Sequence, residues 1–221
     1  MEAAAVICAA GASARMGGVK KEYQKLASGN TVLGSAVLAF SSVPSIEVIV
    51  IAVCADTQDT ARASLAPETL SAQKPKVLFV NGGESRRASV FNALSFLSRY
   101  SPCYVLIHDG ARPWVTVSLI NNALESVKKY GAVIPLLPLT DTPKEYEEGF
   151  ITRHLKRANT GIAQTPQAFK FPEILYAHQK ATEVKDEEFT DDAEIWGRFC
   201  GSVAVIEGDP ENRKITFRED I

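Results

Sequence analysis

Residues 3–16 read Ala3-Ala4-Ala5-Val6-Ile7-Cys8-Ala9-Ala10-Gly11-Ala12-Ser13-Ala14-Arg15-Met16, and this stretch decides the fold. Residues 3–9 form an apolar run without the alternation of a half-exposed strand, which is the pattern of a strand covered on both faces. The residues after it are too small to keep a ligand from the backbone, so their N–H groups are ready donors for a phosphate. The loop is neither a G-x-G-x-x-G fingerprint nor a G-x-x-x-x-G-K-[ST] loop. A tight turn of small residues and a phosphate site account for it about equally well.

Working outward, similar short apolar runs recur at 48–53, 77–80, 104–107, 132–137 and 203–206. Between them lie segments of helical period: Val32, Leu33, Ala36, Val37 and Phe40; then Val90, Ala93, Leu94 and Leu97; then Val117, Ile120, Ala123, Leu124 and Val127. Strand followed by helix, repeated, requires parallel strands joined by right-handed crossovers. The expected architecture is α/β, Rossmann-like, with a mostly parallel central sheet and helices on both faces. Ligands in such sheets bind along the edge formed by the carboxyl ends of the strands. The third helix is the best delimited, with Thr116 as N-cap, Lys128 and Lys129 at its negative end and Gly131 as C-cap. Residues 138–160 break the pattern with Pro, Thr, Asp and charged residues around Glu145–Gly149, and read as a hairpin projecting from the body as an arm. Residues 214–217 read as one more short strand.

The chain has 221 residues, with 24 Lys and Arg against 26 Asp and Glu. A chain of this length buries roughly 70% of its unfolded surface and needs no disulfide or structural metal, so a single domain, 1–221, is expected. The near-neutral balance supplies no long-range basic field for nucleic acid or an anionic membrane. No run approaches the roughly 20 apolar residues of a membrane span. Glu2 stands where a signal peptide would be basic, and a cytoplasmic location is expected. The four cysteines form no C-x-x-C pair or metal cluster, and each reads as a buried thiol in a reducing compartment.

Chemistry concentrates at the strand ends. Arg15, followed by Lys20-Lys21-Glu22-Tyr23, sets cations beside the first loop, where fixed positive charge stabilises developing charge on phosphoryl oxygens; for Lys20 a solvated surface role is the better reading. The loop Asn81-Gly82-Gly83-Glu84-Ser85-Arg86-Arg87-Ala88-Ser89 joins the same edge, its paired glycines allowing positive φ or close approach by a planar ring. In His108-Asp109-Gly110-Ala111-Arg112-Pro113 a carboxylate emerges from an apolar strand. A lone Asp beside a phosphate loop suffices for Mg²⁺, which takes its other ligands from phosphates and water; a structural salt bridge with Arg112 explains Asp109 equally well. His108 reads as packing or support, not as a base. Gln164-Thr165-Pro166-Gln167 and Thr190-Asp191-Asp192 are unremarkable alone, Thr190 serving as a helix N-cap. Spacing leaves open whether Lys214 points into the site or into water.

Taken together, AAGASARM, KKEY, NGGESRRASV, IHDGARP, TDTPK, QTPQAF, FTDDA and GDPENRKIT, in this order, resemble the 2-C-methyl-D-erythritol 4-phosphate cytidylyltransferases of the non-mevalonate isoprenoid pathway. These are nucleotidyltransferases with a glycosyltransferase-A-like fold. The resemblance implies that CMP passes from CTP to a polyol phosphate with release of pyrophosphate. It implies catalytic roles for Arg15 and Lys21 and a divalent metal, Mg²⁺ or another, on Asp109. Ala9, Ala10, Gly11, Ala12, Ser13, Gly83, Glu84, Ser89, Gly110 and Lys214 would bind the nucleotide. Asp109, Arg112, Thr142, Arg157, Thr165, Thr190 and Lys214 would bind the acceptor, with Thr142 and Arg157 supplied by a neighbouring chain through the arm of a homodimer. Ser13 stands where many relatives have Gly.

A ribitol-5-phosphate cytidylyltransferase shares these loops and differs in the acceptor. A CTP-binding module without catalysis would need the recognition loops but not Arg15, Lys21 and Asp109 together. A dinucleotide oxidoreductase is disfavoured by the missing G-x-G-x-x-G.

Overall fold

The structure is a computed structural model that describes residues 1–11, 17–184 and 188–221. Seven strands form the main path of one sheet: β1 (Ala3–Cys8), β2 (Ile46–Val53), β3 (Lys76–Asn81), β4 (Tyr104–Asp109), β5 (Ala132–Pro138), β9 (Gln167–Lys170) and β10 (Ala204–Glu207). Their spatial order is β10-β5-β9-β4-β1-β2-β3, and a further short strand, β8 (Gly161–Ala163), pairs with β5. Residues 138–160 contain β6 (Lys144–Glu147) and β7 (Phe150–His154), a separate antiparallel hairpin. β1 runs parallel to β2 and β4, β2 to β3, and β10 to β5. β9 lies antiparallel between β4 and β5. The carboxyl ends of β1, β2, β3, β4, β5 and β10 therefore share one edge, as the sequence pattern requires.

Period-two alternation explains how a continuous apolar run builds two cores. On β1, Ala3, Ala5 and Ile7 face Leu33, Val37 and Phe40 of α1 (Val32–Ser41) and Ile120, Leu124 and Val127 of α5 (Val117–Tyr130). The intervening Ala4 and Val6 face Val90, Leu94 and Leu97 of α4 (Arg86–Leu97), together with α6 (Phe171–Glu183) and α7 (Asp192–Phe199). Two short helices, α2 (Gln58–Ala63) and α3 (Pro67–Ser71), connect β2 to β3. Small alanines on the central strand let both helix layers approach, and the larger residues of β2 and β4 fill the flanks.

α5 has the ends its sequence predicts. The Thr116 hydroxyl accepts from Leu119 N at 3.2 Å, and Gly131 closes the helix at φ 82°. The hairpin of β6 and β7 turns through two residues, Glu148 and Gly149, with φ of 50° and 86°, the double positive φ of a type I′ connection.

Four local expectations are corrected. Residues 214–217 form no strand, being fastened by contacts described below, and a single 3₁₀ turn, Arg218–Asp220, follows. Asp191, not Thr190, caps α7: its carboxylate accepts from Glu194 N, while the Thr190 N–H and hydroxyl donate to the Glu194 carboxylate. Cys103 and Cys200 are exposed rather than buried, lying beyond the ends of the regular elements. β8 and β9 are additional to the strands the sequence marks. Among the described residues no helix is long and apolar enough to cross a membrane.

Loss of the α5 cap should be measurable. Thr116→Ala is expected to lower the unfolding free energy by about 1 kcal/mol, read as a lower urea midpoint at unchanged slope. An unchanged midpoint would remove the cap from the account of this helix.

Candidate active site

The first two loops meet because their residues are small. Ala9 N–H donates to Ala52 O at 2.8 Å and Gly82 N–H to Val53 O at 2.7 Å, which carries both loops off the ends of their strands in step. A Cβ on Gly82 would lie 2.4 Å from Ala10 Cβ, and one on Gly83 2.5 Å from Ala88 Cβ. Neither glycine has positive φ; what they provide is contact between loops. The loop after β3 is then held by hydroxyls. Gly83 N–H donates to the buried Ser89 hydroxyl at 3.0 Å, Ser89 donates to Ser85 O at 2.9 Å, and Ser85 caps α4 by accepting from Ala88 N. Glu84 projects into solvent. Ala12, Ser13 and Arg15 lie outside the described residues.

Lys20, read from sequence as a solvated cation, instead fastens this region. Its ammonium donates to Gly11 O at 2.9 Å and approaches Cys54 Sγ at 3.4 Å, while the Cys54 thiol donates to Ala10 O at 3.0 Å. Lys21 is buried and donates to Ile215 O at 2.8 Å.

At the end of β4, Gly110 N–H donates to Cys8 O at 2.9 Å, and a Cβ there would meet the same oxygen at 2.9 Å. Asp109 is thereby held against the first loop. Its side chain, 10% exposed, has three cations around it: Lys214 Nζ at 2.8 Å and Arg112 Nε at 3.6 Å from Oδ2, and Arg86 Nε at 3.3 Å from Oδ1. Burial alone would raise its pKa, but Arg86, then Lys214 and Arg112, outweigh it, and the carboxyl is held well below the usual carboxylate range. The Arg112 salt bridge is thus one of three contacts rather than the explanation of the residue.

Behind the carboxylate runs a chain of neutral hydrogen bonds. Asp109 N–H donates to Thr165 Oγ1 at 3.1 Å, and Thr165 Oγ1 lies 2.9 Å from His108 Nδ1. His108 Nε2 is 3.1 Å from Arg112 O, which can only accept, so the proton is on Nε2 and Nδ1 accepts from Thr165. Burial lowers the His108 pKa to about 4, so this ring is a neutral support, packed at a tilt on the ring of Phe40.

Arg86 is the residue that sequence reasoning missed. Its Nη1 lies 2.9 Å from Asp192 Oδ2, and the other oxygen of Asp192 is 3.1 Å from His178 Nε2, with Asp192 and His178 fully buried. Arg86 therefore bridges a carboxylate at the sheet edge and one inside the helix layer. Burial opposes the charge on Asp192, but Arg86 and His178 hold its pKa low. Only its place at the start of α4, shortly after a glycine pair, hints at this.

Thr165 belongs to the site through the Asp109 N–H, whereas Thr190 is committed to Glu194. Thr142 and Arg157 are exposed on the arm, where Arg157 Nη1 donates to Thr140 O at 2.7 Å. Beside them a cleft of about 610 Å³ opens between the ends of β5 and β10, lined by Leu137, Leu139, Arg157, Gly161 and Ile206 among others. No group of three or more His, Cys, Asp or Glu that could hold a metal occurs among the described residues. Asp109 stands as a single carboxylate, which fits a cation that draws its other ligands from phosphate and water.

The class this defines is that of cytidylyltransferase-fold α/β proteins, and solved structures of that class superpose over nearly the whole chain. The 4-diphosphocytidyl-2C-methyl-D-erythritol synthase of Anaerococcus prevotii DSM 20548 is 26% identical with a TM-score of 0.84, covering 99% of this chain and 94% of that one. The 2-C-methyl-D-erythritol 4-phosphate cytidylyltransferase of Thermus thermophilus is 32% identical with a TM-score of 0.74, covering 100% and 95%. The model of the 2-C-methyl-D-erythritol 4-phosphate cytidylyltransferase family (IspD) matches residues 3–221, and the chain belongs to that family. The bifunctional enzyme IspD/IspF of Bradyrhizobium sp. (strain ORS 278) is 42% identical over 220 residues, covering 98% of this chain and 54% of that protein. The chain spans about half the length of the curated relatives it matches.

The site groups set the acid limb of stability. Asp109 and Asp192 have folded pKa values below their unfolded ones, so their stabilisation is present above pH ~4 and is lost as pH falls further. His108, lowered from 6.5 to about 4, binds its proton more readily when unfolded, so stability also falls from pH 6.5 to 4, by about 3 kcal/mol. The urea midpoint should therefore drop between pH ~7 and ~4 and drop further below that. A midpoint constant across this range would contradict a buried neutral His108.

Proposed function

We propose that the chain transfers CMP from CTP to 2-C-methyl-D-erythritol 4-phosphate, giving 4-diphosphocytidyl-2-C-methyl-D-erythritol and pyrophosphate. Family membership supports this reading. The observation that carries it is the ionised Asp109 carboxylate, with Lys214 upon it and Lys21 fastened one residue further along the same segment.

The phosphate oxygen of the acceptor attacks the α-phosphorus of CTP in line, a new P–O bond forms, and the bond to pyrophosphate breaks. Little covalent work falls to the protein; positioning and charge stabilisation do most of it. The backbone at Ala9, Ala10, Gly83, Glu84 and Gly110 is bare enough to read the cytosine and ribose by N–H and C=O groups. Ser89, rather than meeting the base, holds Gly83 in place. Arg15 and Lys21 stabilise charge on the α-phosphate, and Lys214 serves nucleotide and acceptor phosphates. Asp109 is the residue that would hold a magnesium ion or another divalent cation, which when bound neutralises charge on the triphosphate. Arg112 and Thr165 keep Asp109 in register for this.

The acceptor phosphate is assigned to Thr142 and Arg157 of a neighbouring copy, which makes the working unit a homodimer. Tyr146 and Phe150 on the arm are both 77% exposed, with Ile151 beside them. A two-stranded hairpin is marginal by itself, and burial of these rings against a second copy supplies what it lacks.

Pyrophosphate release with Mg²⁺ and CTP, offering methylerythritol 4-phosphate and ribitol 5-phosphate in parallel, tests the proposal. Turnover with the first is expected; turnover with the second alone would reassign the acceptor, and CTP binding without turnover would make the chain a binding module. Lys21→Ala and Arg15→Ala should each lower kcat on the order of 10²-fold. Arg157→Ala should chiefly raise the KM for the acceptor. Heterodimers pairing Arg157→Ala with Lys21→Ala should regain about one working site in two, and no regain would place each site within one chain.

A further inference from the structure

We propose that Gln164 is a positioning residue for both lysines of the site, acting through the segment 208–215. The proposal rests on the reading of Lys21 and Lys214 given above. This segment is neither helix nor strand, so no backbone ladder of its own fixes it, yet it carries Lys214 to Asp109 and presents the Ile215 carbonyl to Lys21.

Side chains hold it instead. The Gln164 carboxamide, 2% exposed, accepts from Asp209 N–H at 3.0 Å and donates to Asp209 O at 2.8 Å and Asn212 O at 3.2 Å. One amide thus offers donor and acceptor to the same residue, as a neighbouring strand would. Gly208 makes room: a Cβ there would come within 2.8 Å of Gln164 Oε1. The fully buried Asn212 donates from Nδ2 to Thr165 O at 2.7 Å, and Arg112 Nη1 donates to Asn212 O at 2.8 Å. Ile215 N–H donates to Ala111 O at 2.9 Å.

Gln164 and Thr165 are consecutive, and they hold the two halves of one ion pair. Thr165 accepts the Asp109 N–H, and Gln164 clasps the segment that delivers Lys214. Gln164 touches neither lysine, so its influence runs through the path of the segment. A displacement of a fraction of an ångström there moves the Ile215 carbonyl and Lys214 Nζ together.

The test is Gln164→Met, which keeps length and volume while removing the clasp. Amine acylation read by mass spectrometry is expected to label Lys21 about fivefold faster than in the unmodified protein, with Lys25 and Lys76, both exposed, unchanged. In the pyrophosphate-release assay kcat should fall on the order of tenfold, with the KM for CTP within about twofold. In a Lys21→Ala background the same change should cost less than about twofold, because coupled residues are not additive. Should Gln164→Met fail to fold, Gly208→Ala disturbs the same clasp from the other side and is read identically. Unchanged Lys21 labelling with unchanged kcat overturns the proposal, as does a full additional loss in the Lys21→Ala background. Absence of turnover in the unmodified protein would overturn the proposed reaction instead, and the labelling result would still decide whether Gln164 positions Lys21.

Discussion

Everything at the carboxyl edge of the sheet depends on keeping a charged Asp109 where water scarcely reaches. A carboxylate that is 10% exposed loses most of its hydration, and it remains ionised only if nearby charge and dipoles replace what was lost. Arg86, Arg112 and Lys214 supply that replacement. Each arrives from a different part of the chain: the start of α4, the loop after β4, and the segment following β10. One electrostatic requirement therefore links three sequence segments, and whatever fixes any of them also fixes the carboxylate.

The turn 164–167 is where this fixing converges. Thr165 takes the Asp109 N–H. Gln167, buried at the start of β9, donates to Asp191 Oδ2 at 2.8 Å and accepts from Ala193 N at 3.0 Å. That holds the first turn of α7, whose Asp192 in turn holds Arg86. Four consecutive residues thus reach the backbone of Asp109 and two of its three partners. The antiparallel placement of β9 between β4 and β5 makes this possible, since a parallel strand would have carried the turn to the opposite edge of the sheet.

The parallel strands and the helices are legible in the sequence because long apolar runs and helical spacing admit few alternatives. Asp109 is legible because a carboxylate ending an apolar strand is conspicuous. β9 is not: Gln167-Ala168-Phe169-Lys170 offers two apolar residues between two polar ones, and the burial of Gln167 is justified only by hydrogen bonds to α7. The segment 214–217 misleads for the complementary reason. Its composition suits a strand, but its backbone partners are the Ala111 carbonyl, the Lys21 ammonium and the Asp220 carboxylate rather than a neighbouring strand. Arg86 hides in an Arg-Arg pair, because its role depends on two carboxylates, 23 residues away at Asp109 and farther still at Asp192. Long-range side-chain bonds leave no period to read, whereas burial patterns do.

The same charges explain how a chain with a net charge of −2 can present a site suited to anions. Around Asp109 three cations face two carboxylates, Asp109 and Asp192, and Lys21 is bound one residue along the segment from Lys214. The excess is positive and local, so it acts over a Debye length rather than as a long-range field. Burial sharpens it, because the two arginines are committed to carboxylates inside the fold and cannot relax toward solvent. Lys214 differs from them: at 37% exposed it is the cation of the three with the most access to water, hence the one best placed to exchange a carboxylate for an incoming phosphate. A site in which two cations hold the carboxylate and a third faces outward keeps Asp109 ionised whether or not Lys214 is engaged elsewhere. The division of labour follows from burial: the arginines maintain the electrostatic frame, and the lysine remains available for chemistry.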